Sequence, residues 1–506
     1  MSQGILPFKY EVEKTNTGVT ALGGLPAYLD LAHVSGLSRL SDKHLGVRGS
    51  QGWTDGEVVT SLVLLNLAGG DCVEDLKILE ADEGFCRVLR RSRMHGLRRK
   101  GRRDLERRWR KEKKRSVPSA SAVFRYLSAF HDAEQEGLRQ PGKAYIPEAN
   151  KCLGGFAKIN RDFVSFMQRN KTESTATLDM DATVVETSKK EALFCYHGYK
   201  SYQPLNTWWS EQGLVLHTEF RDGNVPAGYE QLRVFKEALG CLPDGVKGVR
   251  LRSDAAGYQH ELLKYCELSN NERFGRIEFA IGCPVSEEFK KAVSQVADSD
   301  WKPLMKRVKG RQIDTGRQWA EVCFVPNAIG RSKKGPEYRY LVIREPMAEQ
   351  QSLPGVDNGK SYPFPTMVMG PRKHKVFGVV TNMDWDGEDL IHWYHKRCGK
   401  SEQAHGVMKE DLAGGKLPSG DFGENAAWWW IMILAMNLDA AMRGLALGAS
   451  WACKRMKAIR FRLINIPARV LERSRSLLVR LCRGHPLLHV LLRARAKIAQ
   501  LVPATL

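Results

Sequence analysis

Acidic residues in two stretches of the chain have the spacing that metal-dependent chemistry requires. In "TLDMDATVV", residues two apart share one face of a strand, so Asp179 and Asp181 lie on the same face. In "GVRLRSDAAGYQHEL", Asp254 falls where a predicted strand gives way to a helix, which is the edge where sites form in open α/β sheets. An aspartate there is also a common turn or helix cap, so neither motif decides the chemistry alone.

A third stretch, "WYHKRCGKSEQAHGVMKED" (393–411), sets one acid among basic and hydrogen-bonding side chains. On a single helix with about 100° per residue, five of these side chains share one face. They are Tyr394, Arg397, Glu402, His405 and Lys409. This pattern indicates metal-assisted phosphoryl transfer, in which the acid holds a divalent ion while Arg and Lys bind the phosphodiester. An exposed helix with ordinary charge pairs is the alternative.

Asp181, Asp254 and Glu402 are therefore predicted to hold two Mg²⁺ ions, with Mn²⁺ as a substitute and Asp179 as a further candidate ligand. Other chemistries fit less well. "RCGKSE" lacks the earlier glycine of a phosphate-binding loop, because Tyr394 stands at that position. The 11 cysteines contain no Cys-x-x-Cys, so neither a zinc ribbon nor a disulfide scaffold is indicated, and the pattern argues against a zinc deaminase.

The charge balance predicts a nucleic-acid partner. The chain has 78 Lys and Arg against 57 Asp and Glu, a formal charge of +21. Residues 87–115 hold sixteen Lys or Arg and three acids, so this run is either a loop ordered on DNA or a basic helix face. From Trp451 onward there are thirteen Lys or Arg against one acid.

The hydrophobic pattern predicts an α/β protein of several segments without a membrane partner. The start has no signal-peptide pattern, and the apolar run 426–436 is too short to span a bilayer, so it indicates a buried helix. A cytoplasmic, nucleoid-associated location is expected. The predicted segments are a helical N-terminal DNA-binding and dimerisation region (1–170), the first part of the core (171–270), a core strand with a β-rich insertion (271–372), the second part of the core with the third acid (373–446) and a basic helical C-terminal segment (447–506).

Several stretches together resemble a known family. "LDMDATVVET", "LRSDAAGY" and "YHKRCGKSEQAHGVMK" are similar to the three acid-bearing blocks of the DDE transposases of bacterial insertion sequences. The similarity is to the branch with a Tyr-Arg-Glu-Lys pattern, which is distantly related to piggyBac-type elements. "FRDGNV" (220–225) and the segment 412–438 also resemble that group. The resemblance implies a ribonuclease H-like core with a β-rich insertion, and Mg²⁺-dependent cut-and-paste transposition by a homodimer on terminal inverted repeats.

Matched residue by residue, the family pattern assigns the three acids to Asp181, Asp254 and Glu402, with Asp179 as the rival for the first. Four residues separate Arg397 from Glu402, whereas the family pattern has three, so Lys396 is a second candidate for the arginine's role and Glu410 for the third acid. The resemblance also implies that Tyr394, Arg397 and Lys409 contact phosphates near the cleaved end.

The prediction is therefore a DDE transposase that cleaves at terminal inverted repeats and joins 3′-hydroxyl ends to target DNA. Inverted-repeat binding is expected from the N-terminal basic run, including Arg98, Arg99, Lys100, Arg102 and Arg103. The alternatives are a non-catalytic DNA-binding protein, such as a domesticated transposase acting as a repressor or architectural factor, and a host ribonuclease H-like nuclease.

Overall fold

The computed structural model describes residues 17–47, 52–111, 115–269, 271–308, 310–326, 336–347, 362–397, 400–473 and 476–504. The described chain forms two compact units. Unit 1 draws on residues 1–136, 149–166 and 407–506, and unit 2 on residues 137–148 and 167–406.

The described helices and strands are numbered in chain order. Helices α1 to α18 are Leu25–Val34, Leu37–His44, Asp55–Ala68, Leu76–Ala81, Glu83–Arg93, Arg99–Lys111, Ala120–Leu127, Ala133–Gly137, Leu153–Asn170, Gln231–Cys241, His260–Glu267, Glu287–Ser294, Gly387–His395, Lys400–Gly406, Phe422–Ala441, Ala449–Ala452, Met456–Ile459 and Leu488–Ile498. Strands β1 to β16 are Val19–Thr20, Thr175–Ala182, Val185–Glu186, Leu193–Phe194, Lys200–Tyr202, Leu205–Trp209, Leu214–Glu219, Gly248–Ser253, Glu278–Cys283, Lys302–Val308, Arg311–Val322, Arg339–Pro346, Thr366–Met369, Arg372–Thr381, Ala468–Glu472 and Leu477–Leu481.

Helix α15 is the core helix of unit 1, and all of its residues are buried. Its polar groups are satisfied internally, since the Tyr28 hydroxyl donates to Asp439 at 2.8 Å and the Trp428 indole donates to the Ala413 carbonyl at 2.9 Å. The stretch Phe422–Leu447 is long and apolar enough to cross a membrane, yet 78% of its most apolar window is buried. The buried helix predicted at 426–436 is therefore confirmed.

The C-terminal part of unit 1 differs from the helical segment predicted for residues 447–506. Strands β15 and β16 form a hairpin, and β1 pairs with β15 through Val19 and Arg469. Buried Ala468 and Val470 alternate with exposed Arg469, which is the two-residue period of a half-buried strand. The prediction of an all-helical segment was wrong here because that short alternation is masked by the basic, Leu-rich composition.

Unit 2 is built on a ten-stranded mixed sheet. Nine of its strands follow the order β10-β11-β12-β14-β9-β8-β2-β6-β7, and β13 pairs with β14. Strands β2, β8 and β9 are parallel, whereas β6 and β7 are antiparallel to their neighbours. Leu178 and Asp179 point to opposite faces of β2, and both are buried, as expected for a central strand covered on both sides.

The predicted β-rich insertion is present, and its strands extend the core sheet. Strand β14 pairs with β9 through Gly378 and Cys283, and the insertion strands continue from that edge. Trp319 of β11 packs in one hydrophobic cluster with Leu390 and Tyr394 of α13. A Cβ at Gly387 would lie 2.1 Å from the Trp319 ring, so α13 can pack this closely only with glycine at that position.

A smaller sheet, in the order β3-β5-β4, continues from the same strands. Strands β2 and β6 pair at Asp181 and Asn206, and the amide of Thr183 then donates to the Pro204 carbonyl at 3.0 Å. Beyond that point β3 pairs with β5. Strand β5 also pairs with β4, and these two strands form an antiparallel hairpin. Strands β3 and β5 thus form a two-stranded ribbon that leads away from Asp181.

Candidate active site

The register of two parallel strands brings the first two predicted acids together. Strand β2 pairs with β8 so that Met180 lies opposite Ser253. The next residue on each strand is an aspartate, Asp181 on β2 and Asp254 after β8. The Asp254 carboxylate accepts a hydrogen bond from the Ala256 amide at 3.0 Å and so caps the short turn that follows the strand.

The first of these carboxylates pairs with a guanidinium group. Arg397 Nη1 lies 3.3 Å from Asp181 Oδ2. Burial raises the pKa of Asp254, the negative charge of Asp181 raises it further, and the positive charge of Arg397 opposes both effects. A divalent ion bound here would offset the repulsion between the two acids.

Helix α13 positions both the second acid and the arginine. The Tyr394 hydroxyl donates to the carbonyl of Ser253, directly before Asp254, at 3.2 Å. A Cβ at Gly282 would lie 3.0 Å from that hydroxyl and 2.9 Å from the Ala255 amide, so glycine is needed where the helix meets β9. The resemblance implied a phosphate contact for Tyr394, whereas the structure places its hydroxyl on the backbone that carries the second acid.

Asp179 lies in a separate, closed ion pair. Its two carboxylate oxygens accept from Arg252 Nε at 2.6 Å and Nη2 at 2.8 Å. Arg252 also donates to the Trp393 carbonyl at 2.6 Å and to the Ser210 hydroxyl at 3.2 Å. Burial raises the pKa of Asp179, and the hydrogen bonds from Arg252 oppose that rise. Both oxygens predicted as further metal ligands are therefore engaged, whereas Asp181 is the acid beside Asp254.

The third block is not the single helix predicted from its sequence. Helix α13 ends at His395 and α14 begins at Lys400, with residues 398–399 outside the described ranges. The interpretation of one continuous helical face was therefore wrong, because Lys396 and Arg397 already lie outside a helix. A π-helical turn, Val407–Asp411, follows α14 and contains Lys409.

Glu402 and Glu410 have different surroundings. Glu402 is exposed on α14, and His405 of the same helix is buried. Among the described residues, Asp181, Asp254 and Glu402 do not form a set whose ligand oxygens all lie within 4.8 Å of one another. Glu410 belongs to unit 1, where Arg455 pairs with it at 3.0 Å. The assignment of Glu402 as the third acid stays a prediction.

A cavity of about 1130 Å³ adjoins the paired aspartates in unit 2. Ala255, Tyr394 and Arg397 line it, together with residues of strands β10 to β12. Its charged lining is mainly basic, with Lys306, Arg317, Lys396 and Arg397 against Glu388 and Asp389. Burial and Arg317 lower the pKa of His395 in the same wall to about 4, so this imidazole is neutral at physiological pH.

Comparison with known proteins decides the family. The family described as transposase DDE domain group 1 matches residues 11–503, nearly the whole chain. The chain belongs to this DDE transposase family. Among solved structures it is similar to a piggyBac transposase synaptic complex with hairpin DNA, at 10% identity and a TM-score of 0.40, over 87% of this chain and 80% of that one. No curated protein matches the chain.

The paired aspartates fit the divalent metal that DDE transposases use. Asp181 and Asp254 offer carboxylate oxygens, which are the ligands that Mg²⁺ and Mn²⁺ prefer. Burial raises the pKa of Asp254 and the charge of Asp181 raises it further, and a bound cation would offset the repulsion between the two acids. Two of the predicted ligands thus stand together.

The predicted DNA-binding residues of unit 1 lie on an exposed basic helix. Residues 99–111 form α6, which settles the alternative between a loop and a helix face in favour of the helix. Arg98 directly precedes it, and the predicted residues are all exposed: Arg98, Arg99, Lys100, Arg102 and Arg103.

Sequence reasoning missed two structural features of unit 2. Arg252 ties β2, β8 and α13 together, and the alternation of Arg250 and Arg252 with apolar residues was its visible signal. The other is the aromatic hairpin made by β4 and β5, whose sequence "FCYHGYKSY" concentrates rings, a glycine and one lysine.

Proposed function

We propose that the chain is a transposase that cuts DNA at terminal inverted repeats and joins the freed 3′-hydroxyl ends to target DNA. The observation that carries the proposal is the register that sets Asp181 beside Asp254, with Arg397 at 3.3 Å from the first. This arrangement occurs in a chain that belongs to the transposase DDE domain group 1 family.

A ribonuclease H-like core is part of the proposal. The five strands β7-β6-β2-β8-β9 have the order 3-2-1-4-5 when numbered from β2 within the core. The first, fourth and fifth of these are parallel, and the second and third run as an antiparallel meander. That order, with acids on the first strand and after the fourth, is typical of ribonuclease H-like folds.

In this mechanism Asp181 and Asp254 would hold the divalent ions, with Glu402 as the proposed third acid. Bound Mg²⁺ would lower the pKa of the attacking water or 3′-hydroxyl and offset charge on the leaving oxygen. Arg397 would bind a phosphodiester oxygen through a charge-assisted hydrogen bond. Tyr394 keeps the Asp254 turn in place through the Ser253 carbonyl. The basic cavity would accommodate the DNA strand next to the cleaved bond.

The proposed partner is double-stranded DNA, as inverted repeats and as target, bound by a homodimer in the bacterial cytoplasm. The exposed basic residues before and on α6 would bind phosphates of the inverted repeat. The basic segment from residue 447 onward would hold flanking or target DNA, largely without sequence information.

The test uses a plasmid that carries the gene with its own flanking DNA. Purified protein is incubated with it, with and without Mg²⁺, and breaks are mapped by sequencing. We expect breaks at paired inverted repeats that require the metal and disappear in Asp254→Ala. Asp384→Ala, which removes an exposed aspartate of the same unit, is the matched control and should cut normally.

One observation favours a second candidate, a DNA-binding protein without catalysis. Arg397 already supplies a positive charge to Asp181, and Glu402 is exposed. Binding to the inverted repeats with no cleavage in either Mg²⁺ or Mn²⁺ would establish this candidate and overturn the proposed function.

A further inference from the structure

Unit 2 exposes aromatic rings at the tip of the β4–β5 hairpin. The exposed fractions are 75% for Tyr196 and 36% for Tyr199. The His197 ring lies 3.9 Å from that of Tyr196 and 5.7 Å from that of Tyr199, with an interplanar angle of 8° in the second pair. We call these three residues the aromatic platform. Grouped, solvent-exposed rings of this kind mark an interaction site.

The backbone of the hairpin holds the platform in one conformation. The Cys195 amide donates to the Tyr199 carbonyl at 2.9 Å, and the Gly198 amide donates to the Cys195 carbonyl at 3.0 Å. Gly198 has a φ of 85°, a left-handed conformation that glycine adopts readily. The rings are thus displayed on a tight turn, which lowers the entropic cost of binding.

The base of the hairpin is anchored by the "FRDGNV" segment (220–225). The Gly223 amide donates to the Ser201 carbonyl at 2.9 Å, and a Cβ at Gly223 would lie 2.4 Å from the Ser201 hydroxyl. Arg139 binds both oxygens of Asp222, at 2.6 and 2.7 Å, and the carbonyl of Glu191 at 3.0 Å. This segment therefore supports a rigid hairpin.

The platform stands on the continuation of the strand that carries Asp181. The ribbon runs from the Asp181–Asn206 pair to the Glu186–Ser201 pair, a rise of roughly 15–20 Å for five residues. Lysines flank it, since Lys200 lies 5.9 Å from the Phe194 ring and its ammonium group donates to the Lys190 carbonyl. Exposed rings with neighbouring lysines are the combination that binds unstacked bases and their phosphates.

We propose that the aromatic platform stacks on unpaired bases of the DNA strand that the paired aspartates engage. This inference rests on the proposed function and adds a site to it. The rings supply sequence-tolerant stacking, and the lysines supply phosphate contacts. The formal charge of the chain, +21, favours nucleic acid over a protein surface with few acidic groups as the molecule that binds the aromatic platform.

The test measures binding by the full chain in EDTA, so that cleavage plays no part. The probes are a fluorescent oligo-dT of about 16 nucleotides, a length matched to single-strand binding sites, and a blunt duplex of equal length. Tyr196→Ala with Tyr199→Ala should weaken oligo-dT binding about tenfold or more and leave duplex binding nearly unchanged. Tyr196→Phe with Tyr199→Phe should bind as the wild type does.

Two further variants make the result specific. Tyr196→Leu with Tyr199→Leu keeps apolar area without an aromatic face and should lose affinity as the alanine pair does. Leu268→Ala removes an apolar side chain that is 47% exposed elsewhere in unit 2 and should change nothing. In parallel, 2-aminopurine within the oligonucleotide should be quenched by the wild type and the phenylalanine pair only.

Each other outcome overturns the inference. Equal losses for single strand and duplex would make the platform a general DNA contact, and full binding by the leucine pair would exclude stacking. A change of oligomeric state without a change in DNA binding would assign the rings to a protein interface. Cleavage with Mg²⁺ is a separate readout, so the platform can fail while the proposed function stands, and the reverse.

Discussion

Strands β2 and β8 carry acids in two neighbouring rows on one face of the sheet, and the two rows differ in how their acids are paired. In one row Asp179 faces Arg252, and each charge is matched and buried. In the next row on that face, Asp181 pairs with Arg397, and a second carboxylate, Asp254, lies beside that pair. The strands and the register are the same. The difference shows that charge balance, rather than the presence of an acid, separates a structural ion pair from a site prepared for a cation.

The largest expected effect is the loss of cleavage in Asp181→Ala and Asp254→Ala. Each change removes a ligand to the divalent ion, and we expect cleavage rates to fall by about a thousandfold or more, which corresponds to about 4 kcal/mol of transition-state stabilisation. Binding to the inverted repeats should stay within about threefold. Single-turnover cleavage and a gel-shift titration measure the two. Cleavage retained in Asp254→Ala would show that the Asp254 carboxylate is not required for the reaction, and that the two rows do not differ in function.

Loss of the ion pair between Asp179 and Arg252 should lower the stability of the fold. Asp179→Ala leaves Arg252 buried without its carboxylate, and we expect unfolding free energy to fall by about 3–5 kcal/mol. Urea denaturation measures it. Asp179→Leu combined with Arg252→Met replaces both charges by apolar groups and should recover most of the loss. If Asp179→Ala folds normally but no longer binds metal, the two rows have the opposite roles.

A smaller loss of activity is expected for Arg397→Gln. The variant keeps both acids but removes the guanidinium beside Asp181, and cleavage should slow about 10- to 100-fold through the lost charge-assisted hydrogen bonds. Arg397→Lys should restore part of the rate because it keeps the charge. A rate unchanged in Arg397→Gln would indicate that this arginine only balances Asp181.

The smallest expected effect is the pH dependence of metal-free stability. Burial and Asp181 raise the pKa of Asp254 above its ordinary value of 3.8, so the folded state holds this proton more tightly than the unfolded state. Stability from this group is therefore highest below pH 3.8 and is lost as pH rises through the raised pKa. Asp254→Asn should melt at a higher temperature than the wild type at neutral pH, without that gain in acid.

Magnesium sharpens the same measurement. Millimolar Mg²⁺ should raise the melting temperature of the wild type and leave Asp254→Asn nearly unchanged, because a ligand stabilises only the state that binds it. Equal stabilisation of both proteins would place the ion elsewhere.

Local pattern was sufficient to predict the parts of the site that lie on strands. The two-residue period put Asp179 and Asp181 on one face, and the strand-to-helix boundary identified Asp254. The sequence could not show which of Asp179 and Asp181 would be neutralised, because Arg252 and Arg397 reach them across sequence separations of 73 and 216 residues.

Other features depended on partners that periodicity does not reveal. The helical face drawn through Arg397 and Glu402 required an unbroken helix, and the chain interrupts it between His395 and Lys400. The insertion read as β-rich, but its addition to the core sheet depends on the pairing of β14 with β9. The hairpin at 193–202 has a local signal of its own, aromatic rings around a glycine, but it contains none of the predicted acids.

The long reach of Arg397 also bears on when the site can exist during synthesis. Its contact with Asp181 closes a loop of 216 residues, and Tyr394 meets Ser253 across 141. Contacts between residues so far apart in the sequence form late in folding, since the long loop between them must close first. A nascent chain that has emerged only as far as the second aspartate therefore carries both acids without their arginine or their supporting helix. Assembly of the whole of unit 2 thus sets the moment at which the proposed active site first appears.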